Sequence, residues 1–145
     1  MLAKTKPSLT IKRRFKAAPA KVFAAWTQPA QVAKWFGPPG AYDVSAEVDL
    51  RVGGRYTIHS FCTQDGAPNQ ISGVYHEVVQ DRRLVFTWSF HTAPEHESLV
   101  TIEFKPDGDG TLMTLTHEQF FDEPARDAHN KGWDAVLENL DAYLS

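Results

Sequence analysis

From Pro124 onward, His129, Trp133, Val136, Leu137, Leu140 and Leu144 recur at three- and four-residue steps, the period of one helix face packed against something larger. Upstream the period changes to two. Between Tyr42 and Glu118 the chain reads as strands separated by turn chemistry, with Gly53-Gly54, Asp65-Gly66, Gln80-Asp81 and Asp107-Gly108-Asp109-Gly110 supplying the residues that hairpins favour. The segments so bounded are Tyr42–Leu50, Arg55–Cys62, Gln70–Val79, Leu84–Phe90, Leu99–Lys105 and Leu112–Glu118, a hairpin-linked antiparallel meander. Alternation is cleanest where Val100, Ile102 and Phe104 interleave with Thr101, Glu103 and Lys105, as a sheet with one wet and one dry face requires. The last helix carries the stripe that would cover the dry face.

The amino-terminal part adds a strand over Ser8–Phe15 and then two short helices. Proline at a first helical position loses no hydrogen bond, so Ala18-Pro19 opens one helix with Val22, Phe23 and Trp26 on one side. Thr27-Gln28-Pro29 restarts a second, with Val32, Trp35 and Phe36 inward, and Gly37-Pro38-Pro39-Gly40 stops it. Asp122 is a natural amino-terminal cap for the final helix, expected over Glu123–Leu144, and Glu123 and Asp127 suit the positive end of its dipole. Gly132 interrupts that helix at a cost of about 1 kcal/mol relative to alanine. Two accounts remain open: close approach to a curved sheet with cavity space beside Trp133, in which case Gly132→Leu clashes, or an incidental glycine in a plain core helix.

Composition narrows the function. At 145 residues the chain fits one domain, 1–145, and a hydrophobic content of 42% with nine Phe, four Trp and four Tyr supports a real core. A net charge of -3 gives no attraction to nucleic acid, and the basic run Lys12, Arg13, Arg14, Lys16 reads as the solvated side of the first strand. One cysteine, Cys62, excludes an internal disulfide and is expected to be a buried, inert thiol. The first residues, MLAKTKPSLT, lack an apolar signal core, and no run of about 18 apolar residues exists. A cytoplasmic location with no membrane span is therefore the expectation.

Phe15 and Pro19, Val22-Phe23 with Trp26-Thr27 and Pro29, Trp35-Phe36-Gly37-Pro38, Gly53-Gly54-Arg55-Tyr56, Gly73-Val74-Tyr75, Arg83 to Trp88, and His129 with Gly132-Trp133 occur in an order that resembles the bacterial branch of the SRPBCC, START-like superfamily. More narrowly, the chain is similar to the heat-shock-chaperone ATPase activator homologues, from about Leu9 to Leu144. The resemblance implies an α+β helix-grip fold of the kind seen in the birch pollen allergen. A curved seven-stranded antiparallel sheet would surround a long carboxy-terminal helix, with two short helices closing one end of a cavity. It does not select a chemistry, because the superfamily includes lipid and hormone carriers, polyketide aromatases and cyclases, and ring-hydroxylase domains. Eukaryotic activators of the chaperone carry an additional amino-terminal domain, which ranks chaperone activation below ligand binding here.

The cavity so implied would be lined by Trp35, Phe36, Tyr56, Trp88, Phe90, Met113, Leu115, His117, Phe120, His129 and Trp133, with Trp26 packed behind it. Such a set suits a small-molecule pocket and equally a closed core. Of the six histidines, His91 and His96 fall in a polar loop and His59 and His76 within strands. His117 shares the parity of Met113 and Leu115, and His129 precedes Trp133 by one turn, so both become the pocket's polar handles if they point inward. No HExxH, cysteine cluster, GxSxG or phosphate loop occurs, so neither a metal nor a cofactor is expected. Three readings follow in order: a non-catalytic binder of a hydrophobic or aromatic small molecule, a co-chaperone-like interaction protein, and a cofactor-free cyclase, dehydratase or hydrolase using His117 or His129. The expected partners are a hydrophobic small molecule and then a chaperone, and a homodimer is compatible with the sequence.

Overall fold

The computed structural model describes residues 6–36, 41–62 and 68–145. In order, the elements are β1 (Leu9–Phe15), α1 (Pro19–Thr27), α2 (Pro29–Trp35), β2 (Ala41–Val48), β3 (Arg55–Cys62), β4 (Pro68–Val79), β5 (Arg83–Phe90), β6 (Ser98–Asp107), β7 (Gly110–Glu118) and α3 (Glu123–Leu144). The sheet order is β1-β7-β6-β5-β4-β3-β2, with every neighbouring pair antiparallel. Hairpins thus account for β2 to β7, and β1 returns to pair with the last strand, Leu9 opposite His117 and Phe15 opposite Thr111. The expected stop at Gly37-Pro38-Pro39-Gly40, the turn at Asp65-Gly66, the first five residues and the Cys62 thiol lie outside the described residues and side chains.

Local chemistry explains the short helices. Ala18 stays extended while Pro19 sits in the first turn of α1, and Gln28 ends α1 and starts α2 with Pro29 in its first turn. The Trp35 indole N–H donates to the Ala25 carbonyl at 2.9 Å, so α2 is tied back onto α1. At the other end of the chain the Asp122 carboxylate accepts from the Ala125 N–H at 2.9 Å, which caps α3 as its sequence predicts.

The dry face of the sheet and the stripe of α3 form one core. Val100, Ile102, Phe104, Met113 and Leu115 are fully or almost fully buried beneath Trp133, Val136, Leu137, Leu140 and Leu144. Each such large side chain contributes about 1.5–3 kcal/mol by leaving water. On β1 the basic run divides: Thr10, Lys12, Arg14 and Lys16 are exposed, whereas Arg13 falls on the inward parity of Leu9, Ile11 and Phe15. Arg14 makes ion pairs with Asp107 and Asp109 at 3.0 Å each, so part of that charge is spent on the turn between β6 and β7. No described helix is long and apolar enough to cross a membrane.

Gly73 shows how the sheet is bent over the core. A Cβ there would collide with the Thr87 carbonyl and the Tyr56 ring. With hydrogen in its place, the Tyr56 hydroxyl donates to the Thr87 carbonyl at 2.6 Å and the Val74 N–H donates to Thr87 Oγ1 at 2.8 Å. The register of β4 against β5 shifts just beyond, between Tyr75 and Glu77.

Candidate functional site

Two cavities meet at the end of α3 nearest its amino terminus. One, of about 300 Å³, is lined by Phe36, Asn69, Ile71, Trp88, Phe90, Ala128, His129, Gly132 and Trp133. The other, of about 350 Å³, is lined by Trp88, Phe90, Ala93, His96, Ser98, Phe120, Phe121, Asp122, Ala125 and His129. Trp88, Phe90 and His129 form the shared wall. A third space of about 30 Å³ lies among Trp26, Val32, Trp35, Phe36, Val48, Tyr56, Ile58, Tyr75, Phe86 and Trp88.

The wall is held by a circuit of hydrogen bonds. The Trp133 indole N–H donates to His117 Nδ1 at 3.0 Å, which leaves the His117 proton on Nε2, 2.7 Å from Ser98 Oγ. Ser98 in turn donates to the Trp88 carbonyl at 3.3 Å. The Trp88 indole N–H donates to His129 Nε2 at 3.2 Å, and His129 Nδ1–H donates to the Ala125 carbonyl at 2.7 Å. An indole N–H can only donate, so each imidazole is fixed in one neutral tautomer with both nitrogens engaged. The path leaves α3 at Trp133, crosses β7, β6 and β5, re-enters α3 at His129 and ends on the Ala125 carbonyl.

Aromatic packing reinforces the same joint. The rings of Trp88 and Trp133 lie 5.0 Å apart, those of His117 and His129 5.1 Å apart, and Phe120 closes on His117 at 4.2 Å. Burial disfavours an imidazolium here and holds His117 down to about 2, with the neighbouring His129 adding to the effect. His129 is also lowered by burial, opposed by its bond to the Ala125 carbonyl. Tyr56, enclosed in the core, is raised well above its ordinary value by burial. Among the described residues no group of three or more His, Cys, Asp or Glu is arranged to hold a metal ion.

Of the residues singled out in the sequence, Phe36, Trp88, Phe90, His129 and Trp133 line the 300 Å³ cavity, and Phe120 lines the 350 Å³ cavity with Trp88, Phe90 and His129. Trp35 and Tyr56 border the smallest space instead. Met113, Leu115 and His117 are fully buried and line none of the three, so His117 serves the hydrogen-bond circuit rather than the pocket surface. Of the first account of Gly132, the close approach is overturned, because a Cβ built there meets nothing within 4 Å, whereas cavity space beside Trp133 is present. Its missing side chain adds room to the 300 Å³ cavity beside Trp133.

Ser98, Ala128, Asn69 and His96 also belong to these cavities or to the circuit beside them. Ser98 was expected just before its strand, yet its even parity with Val100 and Ile102 was the available signal that it points inward. Ala128 and Asn69 had none, being ordinary residues on a helix and a strand. His96, expected in a solvated loop, stacks on Phe121 at 4.1 Å over the 350 Å³ cavity.

A seven-stranded antiparallel sheet closed around a carboxy-terminal helix, with two short helices between its first two strands, defines a helix-grip protein of the START-like class. Residues 16–145 match the model of the family described as Activator of Hsp90 ATPase homolog 1-like protein, and the chain belongs to that family. Among solved structures it is similar to a protein of Chromobacterium violaceum, at 27% identity and a TM-score of 0.85 over 94% of this chain and 96% of that one. The AHSA1 protein of Silicibacter pomeroyi gives 27% identity and 0.84, covering 95% and 97%. A protein of Rhizobium loti gives 30% and 0.77, covering 94% and 95%. Comparison with curated protein sequences returned no match.

Proposed function

We propose that this protein is a non-catalytic binder of a hydrophobic or aromatic small molecule, held in the cavity between α3, β5 and Phe36. The observation that carries the reading is the pairing of a 300 Å³, largely apolar space with two imidazoles whose nitrogens are all committed to protein partners. A general acid or base needs a nitrogen within reach of substrate, and here each is occupied and held neutral. Membership of a family named for chaperone ATPase activation supports an interaction role as the second reading. Exposed Val52 and Phe121, each 64% accessible, are the apolar positions such a role would test first.

The binding reading is checked with N-phenyl-1-naphthylamine, an uncharged dye that brightens in apolar surroundings. Wild type should give a saturable rise in emission. Gly132→Leu, which places an isobutyl group in the cavity, should weaken binding by tenfold or more. A non-saturable signal, or equal affinity in the two proteins, rejects the cavity as the site.

A further inference from the structure

Four tryptophans occur in the chain, and three of their indole N–H groups have protein acceptors: Trp35 on the Ala25 carbonyl, Trp88 on His129 and Trp133 on His117. Trp26 is the exception. Its Nε1 is buried with no hydrogen-bond partner, on a side chain only 7% exposed. Buried donors are almost always satisfied, so an orphan of this kind calls for an explanation. The ring that carries it is part of the wall of the 30 Å³ space, which has room for one water-sized group. Phe36 and Trp88, with ring centroids 6.0 Å apart, line both that space and the 300 Å³ cavity.

We propose that Trp26 Nε1–H is the polar anchor of the ligand site, and that the ligand is an uncharged molecule with an apolar body in the larger cavity and a carbonyl-type acceptor reaching the smaller one. The proposal rests on the binding reading given above and adds to it the class of ligand. Neither cavity is lined by Asp, Glu, Lys or Arg, so a charged ligand would be left unpaired in an apolar setting. Two other donors in the lining of the small space are already engaged: the Tyr56 hydroxyl donates to the Thr87 carbonyl and the Trp35 indole to the Ala25 carbonyl. Among the described residues, Trp26 Nε1–H is the fully buried side-chain donor without an acceptor, and a donor selects an acceptor.

The test compares two probes of nearly the same shape, 2-acetonaphthone, which carries a carbonyl, and 2-isopropenylnaphthalene, which carries a methylene in its place. Both are measured by displacement of N-phenyl-1-naphthylamine, and the four indole N–H resonances are followed by nitrogen-15 NMR. Wild type should prefer the ketone about tenfold, and the ketone alone should move the Trp26 resonance downfield. Contacts to the Trp35 and Trp133 rings, 4.7 and 6.0 Å away, assign that resonance without a variant. Trp26→Phe should abolish the preference while still binding the hydrocarbon. Equal affinities with a stationary Trp26 resonance overturn the anchor and leave the binding reading standing, with a trapped water as the donor's partner. Failure of both probes to displace the dye overturns both.

Discussion

At the level of single residues, the buried histidines make stability depend on pH in a defined direction. The folded state holds His117 near 2 against 6.5 when free, so below about pH 6.5 the unfolded chain takes up a proton that the folded protein refuses. The stabilisation is complete above that pH and is lost progressively as pH falls toward the folded value, with His129 acting in the same sense. Urea unfolding between pH 7.5 and 5 should therefore show stability falling at up to about 1.4 kcal/mol per pH unit for each such histidine. His117→Gln should cost about 1–3 kcal/mol at pH 7 and flatten the slope by one proton; an unchanged slope would remove His117 as its source. The inward parity of His117 was legible from Met113 and Leu115. Its partners were not, because they come from β6 and α3, which sequence spacing alone does not bring together. Gln119 was equally silent: it holds a positive φ of 65° just before Phe120, with no glycine or asparagine to announce it.

Among the elements, α3 was the most readable, since its period, its Asp122 cap and its end at Leu144 are all local signals. At Gly132 the structure has the cavity space without the close approach, for a physical reason. A helical glycine is chosen equally where a Cβ would strike a neighbour and where an open space is kept, and only the opposing surface tells the two apart. Open space at that Cβ means Gly132→Ala should stabilise the protein by about 0.5–1 kcal/mol through helix propensity, read as a higher urea midpoint. A lower midpoint would show that the position is crowded after all. The strands were placed by their turns, and the residual errors sit at their ends. Ser98 and Pro68 are gained by strands expected to start later, since pairing with a neighbour extends a strand beyond its own apolar run.

At the scale of the whole molecule, the helix-grip architecture followed from the order of weak motifs, whereas the cavities did not, because an aromatic set of this kind fills a core as readily as it lines a pocket. The topology has a kinetic corollary. Every pairing from β2 to β7 closes a hairpin, while β1 must find β7 from the opposite end of the chain. Such a closure carries the largest loop entropy in the sheet, so the meander should assemble first and β1 should zip on after the rate-limiting step. Leu9→Ala, which removes a buried β1 side chain, should then accelerate unfolding in stopped-flow experiments and leave the refolding rate nearly unchanged. A slowed refolding limb would instead put β1 in the nucleus. If β1 docks late, its departure is also the first step by which the folded protein opens, and the strand that precedes both short helices becomes the latch of the grip.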